Sequence, residues 1–143
     1  MPFNVNNTVK AGVSNWYSQH WDYSKKIVID HTKVSATLTN FPVLIDNISA
    51  SFSNAQADGD DFVFVAANNI TKYNHEIESF ASNHLIAWVN VTSLSSTEDT
   101  VIYMYYGNTM CSNQENPTDV WDANYTAVWH MDDLTTSTNI ESS

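Results

Sequence analysis

The chain has 143 residues, a length that suits one domain, and its hydrophobic fraction of 43% is enough to build a single packed core. A formal charge of −11, from 16 acidic residues against five Lys and no Arg, leaves nothing to make a bidentate fork to phosphate or guanine, which argues against nucleic acid as a partner. The same acidity opposes anionic lipid, and no apolar run approaches the roughly 20 residues that span a bilayer, so membrane insertion of this segment is not expected.

Residues 1–20 are polar and follow neither apolar period, and they read as an N-terminal arm or linker. They contain no basic stretch followed by an apolar one, so an export signal is expected to have been removed or to lie outside this chain. The domain proper is expected over 21–123. Short apolar runs there follow at the spacing of a sandwich, at 26–30, 34–38, 42–45, 62–66, 76–80, 85–91 and 100–106, with a further run at 125–131. Turn-rich stretches such as Ala57-Asp58-Gly59-Asp60 and 111–118 separate them.

Alternation favours strands: Phe62 and Phe64 share one face, as do Val101, Tyr103 and Tyr105, with Ile102 and Met104 opposite. Pro42 fits a strand start or edge, and Gly107 closes a strand into a turn. Aromatic residues make up 13% of the chain and β-branched residues are plentiful. The expected fold is therefore all-β, an antiparallel two-sheet β-sandwich, jelly-roll-like, of about eight strands. The run at 125–131 is apolar on both faces and reads as a central strand, followed by a polar tail.

Glu76 and Glu78, two apart on an expected strand, project from one face as paired carboxylates for glycoside hydrolysis must, although a solvated strand face explains the same spacing. Asp58, Asp60 and Asp61 form an acidic turn resembling part of a calcium loop, whose remaining oxygens would come from elsewhere, with Asp119 and Asp122 as candidates. No other cofactor is indicated. The five His are scattered without zinc-site spacing, and the three Gly include neither a phosphate-cradling loop nor a nucleophile elbow, so the chain reads as non-enzymatic.

Trp88 and Trp129, inside expected strands, read as core residues. Trp16 and Trp121, near loops, are candidates to stack a sugar ring. Asn-x-Ser/Thr sequons at Asn6, Asn47, Asn69, Asn90 and Asn124 are candidate glycosylation sites. Cys111 is the only cysteine, which excludes an intrachain disulfide and reads as a half-buried apolar residue. Ser, Thr and Asn form about a third of the chain, a weakly charged polar surface common on exported proteins.

Several stretches, taken in order, carry a resemblance: Trp21-Asp22-Tyr23-Ser24-Lys25-Lys26-Ile27-Val28-Ile29, Leu38-Thr39-Asn40-Phe41-Pro42-Val43-Leu44-Ile45, Asp58-Gly59-Asp60-Asp61-Phe62, Glu76-Ile77-Glu78, Ala87-Trp88-Val89 and Tyr105-Tyr106-Gly107-Asn108. Over residues 20–131 the chain resembles an uncharacterised family, a domain of unknown function of bacterial and archaeal surface proteins that often precedes concanavalin A-like, laminin-G-type modules. Lys25 and Lys26 stand where that family commonly has basic residues, often Arg, so the charge is retained. The resemblance implies an extracellular or cell-surface location, a β-rich fold and no established activity. It also implies that 120–131 passes into a truncated lectin-like module. The expected function is a non-catalytic binding, adhesive or spacer module whose partner is a glycan or a neighbouring surface subunit. The rivals are a fibre subunit assembled by strand addition and a glycoside-active enzyme.

Overall fold

A computed structural model describes residues 3–9 in main chain only and residues 16–121 and 125 with their side chains. Among the described residues eight strands form: β1 (Phe3–Val9), β2 (Tyr23–Ile29), β3 (Leu38–Ile48), β4 (Val63–Ala66), β5 (Lys72–Tyr73), β6 (His75–Ala81), β7 (His84–Leu94) and β8 (Thr100–Tyr106). They make a five-stranded sheet of order β1-β2-β8-β4-β5 and a three-stranded sheet of order β3-β7-β6. Every pairing is antiparallel. The protein is thus the all-β two-sheet sandwich that its alternation predicts.

The core lies between the sheets. Ile27, Ile29, Phe64, Ile102 and Met104 from one sheet meet Val43, Ile45, Leu85, Val89 and Val91 from the other, all at most 3% exposed. In β7 the inward residues Leu85, Ala87, Val89 and Val91 alternate with half-buried ones, the period-2 pattern of a strand with two unlike faces. The β6–β7 hairpin turns on Ser82 and Asn83 at φ of 52° and 61°, the two left-handed positions of a type I′ connection.

Three local outcomes differ from the sequence reading. Of the run expected at 34–38, residues 34–37 do not form a strand and Leu38 opens β3: Asp30 accepts the Thr32 N–H at 2.8 Å and caps a 3-10 turn at His31–Lys33, leaving only Val34 buried before β3 begins. A second 3-10 turn, Ala50–Asn54, carries Phe52 into the core, where its ring meets Phe62, Phe80 and Tyr106 edge-on and the Lys25 ammonium lies 5.3 Å from its centroid. Within the stretch read as an arm, residues 3–9 pair with β2 as β1.

The outer face of the five-stranded sheet carries a second apolar layer. Trp21, Val63, Val65 and Tyr105 are buried there, with Trp16, Tyr17, Tyr103 and Cys111 packed against them. This explains why β4 is buried on both faces, with Phe64 inward and Val63 and Val65 outward. Trp21 Nε1–H donates to the Asp61 carbonyl at 2.7 Å and Trp16 Nε1–H to the Trp21 carbonyl at 2.7 Å, so each indole satisfies its donor while burying its ring.

Candidate functional site

The outer face of the three-stranded sheet is assembled differently. Its register aligns Leu44, Trp88 and Glu76 in one row, and Asp46 with Ile86 in the next. The bulge between Ile77 and Ser79 adds Glu78 to the β6 side. Trp88 Nε1–H donates to Glu78 Oε2 at 2.7 Å, and Trp121 Nε1–H to Glu76 Oε2 at 2.9 Å. The two indoles lie 5.3 Å apart, and Tyr125 meets Trp121 edge-on at 5.2 Å. Both carboxylates thus hold aromatic rings in fixed orientations, and the charge-assisted bonds cost those rings freedom that a ligand need not supply.

Trp121 reaches this face because 116–121 crosses over β6 and β7. The Asn116 N–H donates to the His75 carbonyl at 3.0 Å, and Asn90 Nδ2 donates to the Asp119 and Val120 carbonyls at 3.0 and 3.1 Å. Val120 is fully buried beneath. The cover is partial. Beyond Trp88 the face opens into a groove of about 730 Å³, lined by Pro42, Leu44, Asp46, Asn47, Ile48 and Trp88 among others. Leu44 is 40% and Ile48 72% exposed, so the groove floor is apolar and wet. Asp46 Oδ1 sits 2.6 Å from His84 Nε2 at its far side.

Of the candidates read from sequence, Glu76, Glu78 and Trp121 come together here. Trp16 does not: it packs on Tyr105, with ring centroids 5.0 Å apart, on the opposite outer face. Trp88 is half-buried on this face rather than in the core, because the row pairing Leu44–Trp88–Glu76 points it outward while its neighbours Ala87 and Val89 point inward. Trp129 and Asn124 lie outside the described residues.

The acidic turn is built around Asp61, which is fully buried. Its Oδ1 accepts the Gln56 N–H at 2.9 Å and its Oδ2 accepts the Gly107 and Asn108 N–H groups at 2.6 and 2.9 Å. Asp58 Oδ1 accepts the Asp60 N–H at 3.2 Å, closing an Asx turn. Asp61 thereby ties the turn before β4 to the end of β8, and its oxygens are occupied by main-chain donors. Among the described residues the one group of three ligating side chains whose donor atoms fall within 4.8 Å of one another is Asp30, His31 and Asp99. Hydrogen bonds from the Thr32 side chain and backbone hold Asp30 below the usual carboxylate range, and those from the His31 side chain and backbone do the same for Asp99.

The sequons differ in environment. Asn90 uses its amide nitrogen to hold the 116–121 crossing. Asn69 accepts the Tyr105 hydroxyl at 2.7 Å, and Asn47 is half-buried with a buried, unpaired Oδ1. Asn6 lies in β1, described in main chain only.

His75, inward at the start of β6, is fully buried, and neither ring nitrogen makes a well-formed hydrogen bond. Burial pushes its pKa from 6.5 down to about 3, with Lys72 adding repulsion and the Tyr73 backbone opposing it. The imidazole edge packs on Phe64 at 5.1 Å.

The molecule is by architecture a β-sandwich whose two outer faces carry aromatic residues and are covered unevenly. Its sequence then places it: the chain belongs to the family of a domain of unknown function (DUF2341), whose pattern matches residues 58–143, more than half its length. No curated protein and no solved structure shows a significant match to it. Among the described residues no helix is long and apolar enough to cross a membrane.

Sequence reasoning missed Leu44, Asp46 and Ile48 as site residues. The signal was present: three bulky or charged residues at i, i+2 and i+4 on one strand, on the face opposite Val43 and Ile45.

Proposed function

We propose that this domain is a non-catalytic extracellular binding module of a cell-surface protein, and that the open outer face of its three-stranded sheet takes a saccharide. The observation that carries this reading is the pair Trp88 and Trp121, pinned by Glu78 and Glu76 beside a groove of about 730 Å³. A pyranose presents an apolar C–H face that an immobilised indole covers, while neighbouring carboxylate and amide groups take its hydroxyls. A catalytic pair needs a carboxyl group free to give up a proton to the leaving oxygen. Here each carboxylate already receives an indole N–H, which favours binding over hydrolysis.

The test is a glycan-array screen of the purified chain with and without calcium, with hits measured by calorimetry. Binding that is lost in Trp88→Ala and kept in Trp16→Phe supports the reading. Silence of the array under both conditions removes it. Calcium dependence of a hit would bring the Asp58, Asp60 and Asp61 turn back as a metal site.

A second reading, a fibre subunit joined by strand addition, draws on the outer edge of β3, eleven residues long and without a partner strand among the described residues. Asn40 at φ 49° and Pro42, which lacks an N–H, blunt that edge. Monomers whose sedimentation is independent of concentration would remove it.

A further inference from the structure

The charges around the groove are one-sided. Strands β3, β6 and β7 contain neither Lys nor Arg, while Asp46, Glu76 and Glu78 stand on their shared outer face. The described lysines are elsewhere: Lys25 and Lys26 on β2, Lys33 in the first 3-10 turn, and Lys72 on β5, where Gln114 receives its ammonium. Among the described residues His84 is the one cationic candidate beside the groove; Asp46 Oδ1 engages it, and no hydrogen bond from them reaches Asp46 Oδ2. The whole chain is at −11. Counter-charge therefore accumulates at this face, and at 0.1 M salt it acts over a Debye length of about 10 Å, which spans the groove.

From this complementarity we infer that the groove selects a glycan carrying free amino groups, a polymer of unacetylated amino sugars, and rejects uronate and sulfated chains. The inference rests on the saccharide reading of the same face and adds the class of sugar. The ammonium group pairs with Asp46, 59% exposed at its side chain and thus open to a ligand. The ring's apolar face covers Trp88, whose π face also attracts a cation. An anionic sugar meets the Asp46 carboxylate in the groove lining and no lysine or arginine on these strands, so it loses affinity through like-charge repulsion.

The experiment is calorimetry of the full chain with hexamers of glucosamine, N-acetylglucosamine and galacturonate at low and high salt. It is repeated on Asp46→Asn and Ile48→Lys, both surface changes away from the core. Glucosamine hexamer should bind tightest, weaken about ten-fold in Asp46→Asn and again at high salt, and be lost in Ile48→Lys, which places a cation in the groove. Acetylated hexamer binding as tightly, with no response to Asp46→Asn, overturns the charge selection and leaves the saccharide reading standing. Failure of all three hexamers to bind, with a silent array, overturns both. A Lys-rich peptide of equal charge that binds as well as the amino sugar overturns the assignment to sugar.

Discussion

Acid should unfold this domain earlier than its carboxylates alone would, because His75 must stay neutral. In the folded state the imidazole is fully buried and titrates near 3, while in the unfolded chain it titrates near 6.5. Between those values the unfolded chain binds a proton that the folded one refuses. The His75 contribution is therefore flat above about pH 7 and lowers stability as pH drops through 6.5 towards 3. Linkage over that interval gives a loss of about 2 kcal/mol between pH 7 and pH 5, rising to a ceiling of about 5 kcal/mol near pH 3. The second figure equals the usual margin of a small domain. The assay is urea denaturation at pH 7 and pH 5 of the natural chain and of His75→Phe, which keeps a ring against Phe64 but cannot titrate. The surface pairs His31–Asp99 and His84–Asp46 are common to both proteins and cancel in the comparison. The natural chain should lose a further 1–2 M in urea midpoint, for a slope of about 1–1.5 kcal/mol per M. Equal acid shifts in the two proteins would refute the reasoning and mean that the buried imidazole carries no proton penalty.

Asp61→Ala should destabilise by about 3 kcal/mol without changing the urea slope, because three main-chain N–H groups lose their acceptor in a buried site. Asp61→Asn should restore part of this, since its one oxygen can take the Gly107 and Asn108 N–H groups while its amide nitrogen cannot accept from Gln56. Gly107→Ala should cost on the order of 2–4 kcal/mol, visible as a lowered thermal midpoint: φ is 85° and the added Cβ would stand 2.5 Å from Tyr23 Cδ2, on the ring stacked against Tyr106.

How much of this was legible in the sequence depends on which neighbours decide the outcome. β8 was readable to the residue, since Thr100–Tyr106 alternates cleanly and Gly107 ends it. The stretch 34–37 was not, because β-branched residues there suggest a strand while a single Asp30 cap, acting from outside the window, turns the chain. The two-residue β5 is too short to carry any period. At the site, spacing put Glu76 and Glu78 on one face, but their indole partners are 45 and 10 residues away along the chain. Trp88 was misplaced for a related reason. An aromatic flanked by Ala87 and Val89 looks like core until the inward set is known to be Leu85, Ala87, Val89 and Val91. Asp61, read as one of three equivalent calcium ligands, differs from Asp58 and Asp60 only in what β8 brings to it.

The location of the open groove follows from how unevenly the two outer faces are covered. A sandwich sheet rich in apolar residues on both sides must close its second face or leave it wet. On the five-stranded sheet, Val63, Val65 and Tyr105 are closed over by Trp16, Tyr17 and Trp21, with both indole donors satisfied on backbone carbonyls. On the three-stranded sheet the crossing at 116–121 covers β6 and β7 around Glu76 and Asn90, and its last aromatic stops against Trp88. Leu44 and Ile48 on β3 lie past its reach and keep 40% and 72% of their surface exposed. Carboxylates rather than carbonyls receive the indoles on this side, so the rings are fixed at a boundary that is apolar on one flank and acidic on the other. An uncharged acceptor would serve the same indole at lower desolvation cost. On the proposed reading, this boundary suits a polar molecule with one apolar face and a cationic group, and that makes the edge of the crossing, rather than the acidic turn, the place to look for a ligand.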